Sequence, residues 1–445
     1  MTQIIRGRIL HCVDKPAANG SGVEYFADGV MSIADGKILD LDTAESMQRQ
    51  GMSLDQIPHL GNRLIVPGFL DTHVHAPQMD VIASYGEQLL DWLKNYTFPA
   101  EARFADATYA RTAMGDFLDQ LLAHGTTTAQ VFSTSHEQAT DLLFEEAELR
   151  GMRLIAGKVL MDRMAPTELC DTAQDGYDAS LRLIDKWHGK GRLAYTVTPR
   201  FSITSTEEQL TKAGDLLLAK PGLYLQTHLS ENLAEIDLVK QLFPKSENYL
   251  DTYDHFGLCT DRSFFAHCVH PQDAELKRLR ETGSKVAFCP SSNLFLGSGL
   301  FDWQRIESAG VDISLATDVG AGTSLSMLET LADAYKVCQL KGKSLDPLSA
   351  FYGITLGNAR TLGIDHQVGN LAPGTEADFL VLNADKQELV SRKQVGASNV
   401  DDEWFAYMML GDERLVEETW VAGKKHSHVV LPLGSNLESS AVRLC

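Results

Sequence analysis

From residue 67 to about residue 368, short apolar runs alternate with segments of helical periodicity. The runs that read as strands are 64–73, 127–132, 153–160, 193–198, 224–228, 264–267, 285–288 and 312–316, eight in all. Nearly continuous apolar runs are what parallel strands covered on both faces look like. Between them, Tyr109, Phe117, Leu121 and His124 recur at helical spacing, and Ser205-Thr206-Glu207-Glu208 offers a capping box for another helix. Eight strand–helix units predict an α/β fold, a (β/α)8 barrel, with a doubly wound open sheet as the other arrangement the pattern allows. The two chain ends read differently. Segments 4–13, 29–41, 377–383 and 415–422 are strand-like and are set off by turn pairs such as Asn19-Gly20, Asp35-Gly36, Pro373-Gly374 and Ala422-Gly423. Residues 1–66 and 369–445 are expected to pair into one small β domain, because barrel termini lie near one another, leaving 67–368 as the catalytic barrel.

Barrel sites form at the C-terminal ends of the strands, so the polar residues standing there matter most. The first strand ends in His73-Val74-His75, and residues two apart on a strand face the same way. The fourth ends in Thr198-Pro199-Arg200-Phe201 and the fifth in His228-Leu229-Ser230-Glu231. The sixth ends in His267-Cys268, the seventh in Cys289-Pro290-Ser291-Ser292-Asn293 and the eighth in Thr317-Asp318. Singly, each has an ordinary structural explanation: a hydrogen-bonded histidine, a helix N-cap at Asp318, a first-turn acid at Glu231, a surface ion pair at Arg200. Together they would meet at one mouth.

Histidines with one carboxylate suit zinc or ferrous iron and suit magnesium or calcium poorly. A metal at such a site brings the pKa of a bound water to about 7. Asp318 would bind the metal and take the water's proton. Glu231 would protonate a ring nitrogen, and His267 would hydrogen-bond the hydroxide or stand beside the metal. Arg200 would donate to a carbonyl of a planar ring. Segment 76–103, with Tyr85, Trp92, Tyr96 and Phe98 in it and Phe104 just after, reads as an aromatic lid for a flat heterocycle. Cys268 and Cys289 lack thiol partners at useful spacing, and the zinc arrangement built on H-x-E with P-C-x-x-C is absent, so the chain does not have that fold.

Bulk composition narrows the partners. The 445 residues carry 39 basic and 60 acidic side chains, a net charge of −21. A surface this acidic argues against nucleic acid or an anionic membrane as the main partner and says little about a small-molecule pocket. Seven scattered cysteines with no C-x-x-C pair, no signal-peptide core and no membrane-length apolar stretch predict a reduced cytoplasmic protein.

Pro67-Gly68-Phe69-Leu70-Asp71-Thr72-His73-Val74-His75 resembles the signature of the amidohydrolase superfamily. Ala76-Pro77-Gln78, Trp92-Leu93-Lys94-Asn95-Tyr96-Thr97-Phe98-Pro99, Pro199-Arg200-Phe201 and His228-Leu229-Ser230-Glu231-Asn232 narrow the resemblance to its mononuclear zinc deaminases acting on guanine. It covers nearly the whole chain. It implies a distorted (β/α)8 TIM barrel with a small β-sandwich domain built from both chain ends, one zinc per subunit and a homodimer. His73, His75, His228 and Asp318 would be the metal ligands, and His267 the sixth-strand histidine touching the metal or its water. Glu231, Asp318 and His267 would carry catalysis. Gln78, Arg200 and Phe201 would hold the purine beside His228, Glu231 and Asp318. The implied reaction, a step of purine catabolism, is attack of metal-bound hydroxide on C2 of guanine, giving xanthine and ammonia.

Two positions stand apart. Met164 occupies a place where the resemblance leads one to expect Asn, and Lys158 lies inside the third strand rather than at the fourth-strand position of the bridging lysine in binuclear relatives. The readings that compete are deamination of a related ring (8-oxoguanine, a pterin, cytosine or a triazine) and an inactive structural relative. The intact set of ligands argues against the second.

Overall fold

The computed structural model describes residues 2–86 and 88–426, so the last part of segment 369–445 lies outside the described residues. Two sheets organise the chain. The first contains β1 (Gln3–Cys12), β2 (Val23–Ala34), β3 (Lys37–Thr43) and β4 (His59–Pro67) from the N-terminal side. The second is parallel and runs through β5 (Phe69–His75), β6 (Thr126–Phe132), β7 (Arg153–Gly157), β8 (Val159–Leu160), β9 (Leu193–Pro199), β10 (Tyr224–Leu229), β11 (Ser263–His267), β12 (Lys285–Phe288) and β13 (Asp312–Leu315). The chain then returns to the first sheet with β14 (Phe379–Leu382), β15 (Val416–Val421) and β16 (Lys424–His426).

The first sheet has the order β16-β15-β14-β4-β1-β2-β3, so both chain ends share it. Its junction is the antiparallel pairing of β14 with β4, from Phe379 opposite Pro67 to Leu382 opposite Leu64. Ile9, Met31, Ile33, Ile38, Ile65, Phe379 and Val381 form its own buried cluster.

The second sheet runs β5-β6-β7-β9-β10-β11-β12-β13, with β8 alongside β9. Every residue of β5 and β6 is buried, as expected of strands that face a core on one side and helices on the other. Helices such as Ala107–Ala123, Glu137–Arg150, Ala173–Trp187 and Glu207–Ala219 connect successive strands. The result is a nearly closed eight-stranded barrel.

Its two end strands, β13 and β5, are bridged largely by side chains. Asn358 donates from Nδ2 to Leu70 O and to Leu315 O, both at 2.8 Å, and its Oδ1 accepts from Leu315 N at 3.0 Å. Thr72 Oγ1 also donates to Leu315 O at 3.1 Å. Beyond the strand ends, Asp318 N donates to His73 O at 2.9 Å and His75 N to Val319 O at 2.8 Å.

Three sequence expectations need adjustment. The run 64–73 is two strands in two sheets, divided at Gly68. Gly68 N donates to Asp378 O beside the first sheet, while Phe69 N donates to Gly125 O in the barrel. A side chain at 68 would overlap Thr127 Oγ1, which explains the glycine. Both halves are buried, so no polar residue marks the break. The run 153–160 is likewise divided at Lys158, between β7 and β8. The helix after β9 is capped by Thr206, which accepts from Gln209 N at 3.2 Å, rather than by Ser205.

Candidate active site

The strand tips converge. His73 and His75 close β5, His228 lies near the end of β10, His267 ends β11, and Asp318 follows β13. Ser230, His267 and Asp318 have φ of 49°, 72° and 52°. Non-glycine residues rarely adopt this left-handed conformation, and clusters of it mark sites where the fold forces a side chain into place.

Asp318 Oδ1 lies 3.1 Å from His73 Nε2 and 3.1 Å from His75 Nε2. His73, His75, His228 and Asp318 each offer one ligand atom, all within 4.8 Å of one another. Buried His73 Nε2 makes no hydrogen bond despite the neighbouring carboxylate, as expected of two atoms aimed at a shared ion. His228 Nδ1 is engaged with Arg200 O at 2.7 Å, which leaves its Nε2 to the cluster. Burial lowers the His75 pKa to about 3. Burial, followed by the charges of His73, His75 and His267, lowers that of His228 well below the ordinary value. Neutral imidazoles are what a metal requires. Burial alone would raise the Asp318 pKa, but the neighbouring histidines hold it well below the carboxylate range. The donor set fits a divalent metal ion.

A second grouping replaces His75 and His228 with His267 and Cys289. Burial pushes the Cys289 thiol well above its ordinary pKa, and its Sγ donates to Ala287 O at 3.5 Å. A protonated, engaged thiol is a poor ligand, so the histidine-rich group is preferred.

His267 Nε2 stands 3.6 Å from Asp318 Oδ2 and 3.5 Å from Glu231 Oε2. Its Nδ1 donates to Asn293 Oδ1 at 2.9 Å, so the Nε2 lone pair faces the cluster. Glu231 Oε1 accepts from Ser298 Oγ at 3.1 Å. Burial, reinforced by the charge of Asp318, raises the Glu231 pKa to about 8.

A pocket opens above the cluster, lined by His75, Gln78, Arg200, Phe201, His228, Glu231, His267 and Asp318. The nine residues singled out from the sequence are thereby brought together, with His73 beneath. Leu89, Trp92, Leu93 and Leu296 supply apolar walls.

The aromatic lid is only partly as expected. Trp92 lines the cavity, but Tyr85 is 85% exposed. Phe98 lies under the Arg200 guanidinium at 5.5 Å, and Phe104 packs on Tyr109 at 5.1 Å. Leucines therefore do part of the work assigned to aromatics. Lys158 stands apart from the metal cluster, ion-paired with Asp171. Met164 is 54% exposed, with φ of 51°, and does not line the cavity.

Sequence reasoning missed the residues that hold this arrangement. Asp71 accepts from His73 N at 3.2 Å, from Thr317 N at 3.1 Å and from Thr317 Oγ1 at 2.5 Å, tying the first tip to the eighth. Its signal was present, since Asp71, His73 and His75 alternate on one strand face. Glu235 caps the turn after β10, accepting from Glu231 N at 2.9 Å and Asn232 N at 3.1 Å. Asn293 stood at the seventh strand tip with no role assigned to it, and Glu101, which accepts from Arg200 Nη1 at 2.9 Å, had no such signal.

The Amidohydrolase family model matches residues 64–425. The chain belongs to the amidohydrolase family. Within that family it is 45% identical to the guanine deaminase of Escherichia coli over 416 residues, covering 94% of this chain and 95% of that one. The solved E. coli guanine deaminase superimposes with a TM-score of 0.92 at 44% identity, covering 96% and 99% of the two chains. Guanine deaminase from C. acetobutylicum, solved with guanine in its active site, gives 0.87 at 29% identity, covering 96% and 100%.

Proposed function

We propose that this protein hydrolyses guanine to xanthine and ammonia. The observation that carries the reading is the 45% identity to a guanine deaminase across almost the full length of both chains. The pocket supports it independently, with apolar walls for a flat ring and donors from Arg200 and Gln78 for its polar edge.

His73, His75, His228 and Asp318 would hold the metal, and a set of nitrogens with one carboxylate favours zinc. When bound, the metal supplies the Lewis acidity that makes water nucleophilic at neutral pH. The protein's own groups then manage the protons. Asp318 takes one from the attacking water at Oδ2, while His267 Nε2 accepts a hydrogen bond from that water. Glu231, protonated at neutral pH because it is buried, donates from Oε2 to N3, the ring nitrogen next to C2. C2 becomes tetrahedral. Asp318 returns its proton to the amino group, which leaves as ammonia. Glu231 recovers a proton from the new hydroxyl, and the C2 carbonyl of xanthine forms. Arg200, Gln78 and Phe201 hold the ring throughout.

The six cysteines among the described residues are free, and no helix there is long and apolar enough to cross a membrane. Reduced thiols fit the cytoplasmic setting in which such an enzyme of purine breakdown would act, and the homodimer, implied by the family resemblance alone, is measured by sedimentation. The deciding experiment is a panel of guanine, 8-oxoguanine, a pterin, cytosine and a triazine, offered to zinc-loaded protein. Guanine is expected to give the highest kcat/KM, with xanthine and ammonia in equal amounts. Preference for another ring would overturn the assignment.

A further inference from the structure

Glu101 lies on the helical turn Phe98–Ala102, and its carboxylate is completely buried. It is outside the residues that line the cavity, yet it holds both polar groups that do the reading there. Arg200 Nη1 donates to Glu101 Oε1 and Oε2, each at 2.9 Å. Gln78 Nε2 donates to Glu101 Oε1 at 3.0 Å. The opposite end of the Gln78 amide is also engaged, because Oε1 accepts from Gly320 N at 3.2 Å.

We propose that Glu101 is a positioning residue that fixes the hydrogen-bond polarity of the purine-reading wall and thereby selects a 6-oxo ring over a 6-amino ring. The inference rests on the reading of the site as a guanine deaminase.

A free glutamine amide can present either its carbonyl or its amino group to a ligand. Here that freedom is removed. Turning Gln78 over would set its carbonyl oxygen against the Glu101 carboxylate and its NH2 against the Gly320 N–H, two repulsive contacts inside a buried site. Gln78 Nε2 is thus kept as a donor, with one hydrogen on Glu101 and one left for a ligand. Arg200 offers donors whatever its neighbours, and the same carboxylate fixes where they stand. Glu101 also neutralises the buried guanidinium, so the wall attracts an uncharged ring through directed N–H groups rather than through net charge. A wall that only donates matches a carbonyl oxygen and leaves an amino group unpaired against other donors.

The probe is 2,6-diaminopurine, which keeps the reacting 2-amino group and replaces the 6-carbonyl with a second amino group. In Glu101→Gln the new carboxamide can donate to Gln78 Oε1, which removes one of the two contacts against turning over and leaves only the Gly320 N–H to hold the glutamine as it stands. The expected result is a fall in kcat/KM for guanine of about 100-fold, chiefly through KM, with a rise in relative preference for 2,6-diaminopurine of roughly tenfold or more. Glu101→Asp keeps the charge opposite Arg200 but withdraws the carboxylate by one methylene. It is expected to fold and to shift the preference in the same direction by less, and it carries the test if Glu101→Gln fails to fold. Metal content and melting temperature are measured on each variant. A merely structural role would lower folded or metal-loaded protein and leave the substrate ratio unchanged. An unchanged ratio in a folded, metal-loaded variant overturns the inference. Parent protein that does not deaminate guanine overturns the functional reading instead, so the two failures are separable.

Discussion

Replacing Asn358 with leucine tests whether the barrel seam is held by a side chain. Leucine has nearly the same size and no polar atoms, so the perturbation removes hydrogen bonds with little change in volume. Three bonds are lost, to Leu70 O, Leu315 O and Leu315 N. Leu315 O keeps Thr72 Oγ1, which leaves Leu70 O and Leu315 N without these partners. At about 2 kcal/mol for each buried backbone group left unpaired, Asn358→Leu should cost about 4 kcal/mol. That is a large share of the 5–15 kcal/mol typical of folded proteins. The damage should also reach the metal, since Asp318 and His73 each lie three residues beyond a seam contact. Thermal and denaturant unfolding measure the first effect, and zinc titration against a competing chelator measures the second. Stability within about 1 kcal/mol of the parent, with undiminished zinc affinity, would refute the account of the seam.

Four further outcomes are expected. Glu231→Gln should retain metal but lose about 1,000-fold in kcat, and unimpaired turnover would remove Glu231 as the proton donor. The Glu231 pKa is raised, so the group is protonated below about 8 and the parent rate should fall as pH rises through that value; a bound cation draws this limb lower, and the limb should vanish in Glu231→Gln. Met164→Asn should stabilise the protein by about 0.5–1 kcal/mol without changing kcat/KM, because asparagine tolerates the left-handed φ that methionine adopts at a cost; unchanged or lowered melting would count against it. Removing metal with a chelator should lower the melting temperature, and zinc at about 1,000 times its Kd should restore about 4 kcal/mol; a melting temperature indifferent to metal would contradict the ligand assignment.

The eight barrel strands were readable because most of their residues are buried on both faces and so appear as apolar runs. The same property hid the joint at Gly68, where one apolar run continues across two sheets. Residues whose chemistry is local were readable too: His73 with His75 is set by strand spacing, and Glu231 follows His228 where the strand gives way to its helix. Glu101 was not, since its partner Arg200 lies 99 residues away and a glutamate within a helical turn ordinarily faces water. Asn358 was hidden for the same reason, being 288 residues from Leu70. The aromatic segment was misjudged because composition does not give direction: Tyr85 turns outward, while leucines from the same segment turn inward.

Arg200 belongs to two structures at once. Its carbonyl fixes the His228 ring, and its guanidinium, clamped by Glu101, faces the purine cavity. A ligand bound to the side chain would bear on the peptide behind His228, one of the four residues that would hold the metal. Metal and purine binding would then be thermodynamically linked, and linkage is reciprocal. The factor by which a bound purine strengthens metal binding must equal the factor by which metal strengthens purine binding. Substrate supply would in that way protect the enzyme from losing its metal when chelators compete for it.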